Sequence, residues 1–368
     1  MDVKFMPSVF SARCIVLIKL ATLVLITQSL LACSSVSYIS HLISGQVDLL
    51  WKRQSIGSLL EDETLNPKLK ERLVLASEIT RFAEESLGLP VDDAYSSYSD
   101  LERPYASWSV YVAPELSLES YKWCYTFIGC VAYRVYLDKE MAKSEGDKFI
   151  KEGYDVRVGG VRAYSTVGFF DDPLLNTFIF ESEHYLVDIL IHEITHRQLY
   201  IKNDTKFSEN FATAVAFLGV EQWYSQAGRS DLFSEYQANK KRYQTIISLL
   251  LSYKIKLEEM YANEDITVEI KRLQKKEVLH KLDIAYQSLR DKEGWDKRYD
   301  HWVANMNNAT LSTLSNYEEL VPSFVGLFKY LDGDWQKFYD EAERISELEK
   351  TARYAELRQY AKPYAGDH

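Results

Sequence analysis

The spacing of apolar residues changes along the chain, and each change predicts a different kind of element. In "NPKLKERLVLASEITRFAEESLGLP", residues 66–90, Leu69, Leu73, Ala76, Ile79, Ala83 and Leu87 recur at helical spacing. Asn66 suits an N-cap, Pro67 the first turn, Gly88 the C-terminal turn, and Pro90 stops the helix. From about 100 to 183 the pattern shortens. "WSVYVA", "CVAYRVYL", "YDVRVGGVRAY" and "NTFIFE" are rich in β-branched and aromatic residues and predict strands, with one helix near 139–152. After 184 only helical spacing remains. "YLVDILIHEITHRQLYI" predicts a helix whose Leu186, Ile189, Leu190 and Ile194 face a core. "SENFATAVAFLGVEQWYSQ" predicts a second, capped by Ser208 and ended by Gly228. Tyr236, Tyr243, Ile247, Leu250, Leu257 and Tyr261 mark a long amphipathic helix that "ANED" breaks into a hairpin. Two or three further helices run to the tail. The fold class is α+β and predominantly helical. A small mixed sheet packs on the "HEITH" helix pair, and a long C-terminal helical region follows. The segments are an N-terminal α/β part at 33–183, the helix pair at 184–229 and the helical region at 230–368. All of 33–368 reads as one compact unit.

The first 33 residues follow a different logic. Lys4, Arg13 and Lys19 precede "LATLVLITQSLLA", an apolar run too short for a membrane span, which needs about 20 residues. The run has the length and flanks of a secretory leader. It ends in "LLAC", Leu30 to Cys33, which resembles the lipobox of bacterial lipoproteins. That resemblance implies a signal peptide at 1–32 and a diacylated Cys33 as the mature N-terminus. Two acyl chains hold a protein on a membrane where one does not. Ser34 after the cysteine implies outer-membrane sorting, facing the periplasm. A plain signal peptide and an uncleaved anchor are the alternatives.

Composition narrows the partners. Asp plus Glu number 54 against 43 Lys plus Arg, a formal net charge of −11 with no basic cluster, which excludes a nucleic-acid binder. Of four cysteines, only Cys124 and Cys130 remain in the mature body. In an oxidising compartment the pair suits a disulfide, and two buried thiols are the alternative.

The chemistry gathers at His192-Glu193-Ile194-Thr195-His196. Positions i and i+4 share a helix face, so both imidazoles reach one ion. Glu193 sits about 100° round the helix, where it can serve the open side of the metal as a base. A third His in the extended pattern fails, because Lys202 holds its place and Leu199 replaces the required Gly. Glu209, on the next helix after "IKNDTKF", is the remaining ligand candidate and completes a two-His-one-Glu zinc set. Its alternative role is that of an N-terminal helix carboxylate favoured by the dipole. Asp188 and Thr213, one turn from His192 and Glu209, are candidate orienting groups. No apolar span follows the "HEITH" helix, which disfavours an intramembrane protease.

At these residues the chain resembles a bacterial family of predicted zinc aminopeptidases that are lipoproteins. The matching stretches are "GQVDLL", "WCYTFIGCVAYRVYLD", "GYDVRVGGVRAYSTVGFFDDPLLNTFI", "HEITHRQLYIKNDTKFSENFATAV" and "NNATLSTLSNYEELVPSF", in order from about residue 45 to 330. The resemblance implies one zinc per chain on His192, His196 and Glu209, with Glu193 activating water. The family tends to carry Trp where Phe169 stands and Glu where Ala216 stands, changes that would reshape the pocket without removing a ligand. The expected partners are a peptide or protein substrate and the membrane, through the lipid on Cys33. Nothing in the pattern sets an oligomeric state.

The expected function is zinc-dependent hydrolysis of peptide bonds, most simply by an aminopeptidase. A site-specific endopeptidase of envelope proteins and a non-catalytic lipoprotein scaffold with a structural metal site are the alternatives. Tyr317, Tyr200 and Tyr164 are candidate oxyanion donors. Glu181, Glu183, Asp171 and Asp172 are candidate anchors for a substrate amine. "AYSTVG" and "NTFIF" offer a strand edge for an extended peptide. Asn307 and Asn308 read as structural.

Overall fold

The computed structural model describes residues 38, 40–42, 44–125, 129–163, 171–314 and 319–361. Cys33, Tyr164, Phe169 and Tyr317 lie outside the described residues, as does most of "AYSTVG". The leading elements are β1 (Gln54–Ser55), α1 (Ile56–Glu61), α2 (Pro67–Glu85), β2 (Ser97–Ser99), β3 (Ser107–Ala113), β4 (Trp123–Tyr125), β5 (Gly129–Val131), β6 (Tyr133–Tyr136), α3 (Lys139–Lys151), β7 (Asp155–Val161) and β8 (Leu174–Leu175). Helices then follow without interruption: α4 (Glu183–Gln198), α5 (Thr205–Gln226), α6 (Ser230–Ala262), α7 (Val268–Glu293), α8 (Asp300–Ala304), α9 (Asn308–Thr313), α10 (Val321–Tyr330), α11 (Trp335–Ser346) and α12 (Lys350–Arg358). The fold is α+β and predominantly helical.

The strands form three small sheets. One is mixed, ordered β1–β2–β8, with β1 antiparallel and β8 parallel to β2. The second is antiparallel, ordered β6–β3–β7, and places Tyr111 of β3 opposite both Tyr133 of β6 and Arg157 of β7. The third is the β4–β5 pair, where Cys124 faces Cys130 and the two are joined by a disulfide. α3 packs against the β6–β3–β7 sheet and buries Trp108, Val110, Val112 and Ala142 in a local core.

The largest core draws on both ends of the chain, from Leu49 to Leu357. Its centre is the α4–α5 pair, with Leu186, Leu190, Ile191 and Ile194 against Phe211, Val215 and Leu218. A second core lies inside the α6–α7 hairpin around Ile246, Leu250, Leu257, Leu282 and Tyr286. This hairpin is the one expected from the break at "ANED".

Two local expectations are corrected. "NTFIF" is not a strand: residues 176–180 form turns, with Phe178 and Ile179 N–H groups both donating to Leu175 O. Asn176 holds the turn by accepting from Leu101 N and donating to Arg103 O. The neighbours Phe178 and Ile179 are both buried, whereas strand neighbours point to opposite faces. Ser208 is not the cap of α5. That role falls to Asp204, whose carboxylate accepts from Phe207 N. Asn307 does cap α9, and Asn308 donates to Pro114 O and Glu115 O, which fits their structural reading.

Candidate metal centre

α4 projects His192 and His196 from successive turns of one face, and α5 crosses beside it with Glu209. His192 Nε2 lies 3.2 Å from Glu209 Oε2, and His196 Nε2 lies 3.7 Å from Glu209 Oε1. One donor atom from each residue falls within 4.8 Å of the others, the one such cluster of His, Cys, Asp or Glu among the described residues. The two imidazole planes are 89° apart with ring centres 4.9 Å apart, an edge-to-face pair. Because α5 starts at Thr205, Glu209 sits in its second turn rather than at its N-terminus. A dipole role for the carboxylate is correspondingly weakened, since that effect fades within the first turn.

The cluster is half sealed. The side chain of His196 is 6% exposed, that of His192 19% and that of Glu209 35%. Burial pushes the His192 imidazole down, but the bond to Glu209 and the charges of Glu193, Glu209 and Asp188 outweigh it, and the net shift is upward. For His196, burial and then the charge on His192 win over Glu209, and its pKa falls to about 4. Burial raises Glu209, yet the His192 bond and both imidazole charges hold it below the usual carboxylate range. Two rings this close do not both become imidazolium, and the three groups titrate together.

This donor set fits a divalent ion. Ligand atoms about 2.1 Å from a tetrahedral zinc stand about 3.4 Å apart. The two imidazoles approach the two oxygens of Glu209 at 3.2 and 3.7 Å, and one donor atom from each residue falls within 4.8 Å of the others, a cluster that has to tighten slightly around an ion. Two neutral imidazoles, one carboxylate and no thiolate suit zinc by ligand type. Among the described residues His196 Nδ1 is buried and meets no hydrogen-bond partner, so Nε2, which faces Glu209, is the nitrogen open to an ion.

The surrounding groups divide into those the sequence suggested and one it did not. Asp188 accepts from Tyr236 Oη at 2.5 Å and pairs with Lys240 at 3.5 Å, so it acts on His192 through charge. Tyr200 packs edge-on to His196 with ring centres 5.7 Å apart. Asp171 pairs with Arg197, Glu181 with Arg162, and Glu183 with Arg229. Asp172 is buried, and its backbone carbonyl accepts from Tyr95 N at 2.9 Å. Tyr95 escaped the sequence reading. It is buried with φ at 59°, a left-handed conformation that few tyrosines adopt. Burial raises its phenol well above the ordinary value, and the charges of Glu193 and Asp172 raise it further. It therefore stays protonated within reach of the Glu193 field.

Comparison with known families now bears on the site. Residues 37–357 match the model of the family described as "Putative aminopeptidase". The chain belongs to this family. Membership supports a peptidase role in general. No curated protein and no solved structure matches the chain.

Two adjoining cavities along α6 are lined by none of the three clustered residues. One, of about 570 Å³, is walled by Thr213, Phe217, Lys240, Gln244 and Pro322. Thr213 is one helical turn from Glu209. The other, of about 810 Å³, shares Gln244 and Pro322 with it and reaches Tyr111, Tyr133, Arg157 and Trp302.

Proposed function

We propose that this family member is a zinc-dependent peptidase, in its simplest form an aminopeptidase, tethered to the cell envelope by a lipid on Cys33. The observation that carries the reading is the convergence of His192, His196 and Glu209 with Glu193 on the same helix as the histidines. Bound zinc would supply a Lewis acid that lowers the pKa of water and polarises a carbonyl. His192, His196 and Glu209 would hold the ion. Glu193 takes the proton from the attacking water and passes it to the leaving amine. Tyr95, buried within the field of that carboxylate, stays protonated. Of the three tyrosines suggested as oxyanion donors, Tyr200 is the one described, edge-on to His196, and it would donate to the developing oxyanion. The envelope location rests on the leader and "LLAC". No helix among the described residues is long and apolar enough to cross a membrane.

The endopeptidase reading keeps one supporting observation. Three of the four carboxylates suggested for a substrate amine already hold arginines. A peptide with an acetylated N-terminus separates the two, because an aminopeptidase leaves it intact.

The test is metal content by mass spectrometry on the mature chain, with peptidase assays on the same samples. Wild type is expected to carry about one zinc per chain. Glu193→Gln keeps the zinc and loses activity, and His196→Ala loses both. A wild type that takes up no stoichiometric metal after reloading overturns the reading. A wild type that binds zinc and cuts no peptide leaves the scaffold in its place.

A further inference from the structure

The most exposed large apolar side chain among the described residues is Trp51, 84% exposed, and Val47, one turn before it, is 44% exposed. The chain is helical at 38, 40–42 and 44–51, and Ser44, Val47 and Trp51 stand at i, i+3 and i+7, on one outward face. The other side of this N-terminal helix is fixed to the fold. Leu49 is buried in the largest core, and its carbonyl accepts from Ser99 Oγ at 3.1 Å. Gly45 packs where a Cβ would collide with Leu137. At the helix start, Tyr38 Oη accepts from Val135 N and His41 Nε2 accepts from Leu137 N, both at 3.1 Å. The exposed stripe is therefore presented by a helix held at both ends. Of the other tryptophans, Trp108 and Trp123 are buried and Trp223, Trp295, Trp302 and Trp335 are partly buried. An indole joins an apolar body to one N–H, which suits the boundary between water and hydrocarbon.

The length of chain before the helix points to what covers the stripe. Cys33, as a lipid-bearing N-terminus, is five residues from Tyr38, a reach of at most about 18 Å. Such a tether keeps Tyr38 near the lipid headgroups. Trp51 is thirteen residues farther on, about 20 Å at helical rise. Lying down, the helix brings Val47 and Trp51 to the same surface that holds the lipid. Upright, it lifts the indole about 20 Å away into water. Charge gives this edge little pull. Lys52, the cation next to Trp51, is held between Asp48 and Glu102, both at 3.6 Å, and the whole chain carries a net charge of −11. The contact is one of apolar burial, so a neutral lipid serves it as well as an anionic one.

We propose that Val47 and Trp51 form a membrane contact, with the N-terminal helix lying along a phospholipid surface and the Trp51 indole at the boundary of headgroups and acyl chains. The inference rests on the lipid-anchored reading of Cys33 and adds an orientation to it. A lipid alone leaves a tethered domain free to swing. A second point of contact, about 20 Å along the helix from the first, fixes its tilt. Leu49 shares its core with Leu186 and Leu190 of α4, so the helix that carries the two histidines takes up that tilt as well.

The test uses the mature chain, purified from cell membranes and reconstituted in phosphatidylcholine vesicles with and without bromine on the acyl chains near the glycerol end. Bromine quenches an indole only on close approach. Tryptophan emission is expected to fall in the brominated vesicles, and Trp51→Phe, which keeps the apolar contact, removes that fall. Val47→Asp, on the same outward face, lowers it about twofold or more. Added salt, or phosphatidylglycerol in place of phosphatidylcholine, leaves it unchanged. Circular dichroism confirms that the variants fold. No quenching of wild type, or quenching that survives Trp51→Phe, overturns the proposal, as does quenching that appears only with the anionic lipid. A blue shift of Trp51 emission on self-association, with no quenching in vesicles, assigns the stripe to a second copy and also overturns it. Mass spectrometry of the N-terminal peptide tests the tether separately. An acylated Cys33 without quenching keeps the tether and removes the contact. An unacylated chain that is still quenched at Trp51 does the reverse.

Discussion

Gly219 decides how closely the two ligand-bearing helices pack. It sits within α5 and faces Ile191, the residue before His192 on α4. A methyl group added there would stand 2.8 Å from Ile191 Cδ1, 3.3 Å from Ile191 Cγ2 and 3.0 Å from Leu87 Cδ1. Two opposed terms follow for Gly219→Ala. Helix propensity gains about 1 kcal/mol. Overpacking a filled core costs about 1–3 kcal/mol. The net expectation is a loss of about 1 kcal/mol. Ile191→Val removes the nearest atom, Cδ1, and alone costs about 1 kcal/mol. In the double variant the new methyl occupies the vacated space, so the two changes couple favourably by about 1–2 kcal/mol. Urea unfolding of the mature chain, both single variants and the double measures this cycle. Zinc affinity is the second readout, because any shift of Ile191 moves His192. It is expected to fall in Gly219→Ala and to recover in the double variant. If Gly219→Ala is stabilising and the single effects add to within about 0.5 kcal/mol, the close contact does not exist and the reasoning fails.

Two further expectations concern stability. Burial pushes Asp204 up, but Tyr354, Arg353 and the Phe207 amide outweigh it and hold its carboxyl below the usual range. A depressed folded-state pKa gives stability that is complete above the unfolded value of about 4 and is lost as pH falls through the folded one. Asp204→Asn, which leaves Arg353 buried without its partner, should cost about 3 kcal/mol at pH 7 and converge with wild type in acid. Unfolding curves that stay parallel from pH 7 to pH 3 would contradict this. Closing the short Cys124–Cys130 loop contributes about 2 kcal/mol by chain entropy. Cys124→Ser with Cys130→Ser should lower stability by that amount, and reductant should do the same to wild type. A reduced wild type that melts like the oxidised form would refute it.

The helical half of the fold was legible because burial there follows one period. In α4, Leu186, Leu190 and Ile194 lie where the pattern put them, and the same period aligned His192 with His196. Cap placement was harder. Asp204 and Ser208 are both good caps, and only the fold shows that Ser208 Oγ is taken up accepting from Ile201 N while Asp204 caps. "NTFIF" has strand composition, yet its hydrogen bonds go to the 101–103 segment, a long-range partner that no local period encodes. Tyr95 gave no signal at all, because its burial within the field of Glu193 goes with a left-handed backbone between α2 and β2. Arg157 opposite Tyr111 is likewise a matter of register, which composition leaves open.

The proposed third ligand would tie the site to nearly the whole chain. His192 and His196 are fixed by α4 alone, but the turn that carries Glu209 is held from the C-terminal end. Asp204 accepts from Arg353 at 2.7 Å and from Tyr354 at 2.6 Å, both on α12. Asn210, next to Glu209, donates to Lys206 O and accepts from Leu320 N at 2.8 Å. Phe207 and Phe211, flanking the same turn, pack on Phe324 of α10 with ring centres 5.0 and 5.4 Å apart. Lys206 and Arg358 both pair with Glu319. Asp204, Phe207, Asn210 and Phe211 therefore each meet an element beyond 318. A metal ligand must be held to a fraction of an ångström, and the groups that hold it are part of the site. The buried hydrogen bonds at Asp204 and Asn210 do that for Glu209, so a chain lacking α10–α12 would keep the histidine pair and lose the geometry of its third donor. The family match over 37–357 covers these helices together with the ligands, as such a dependence requires.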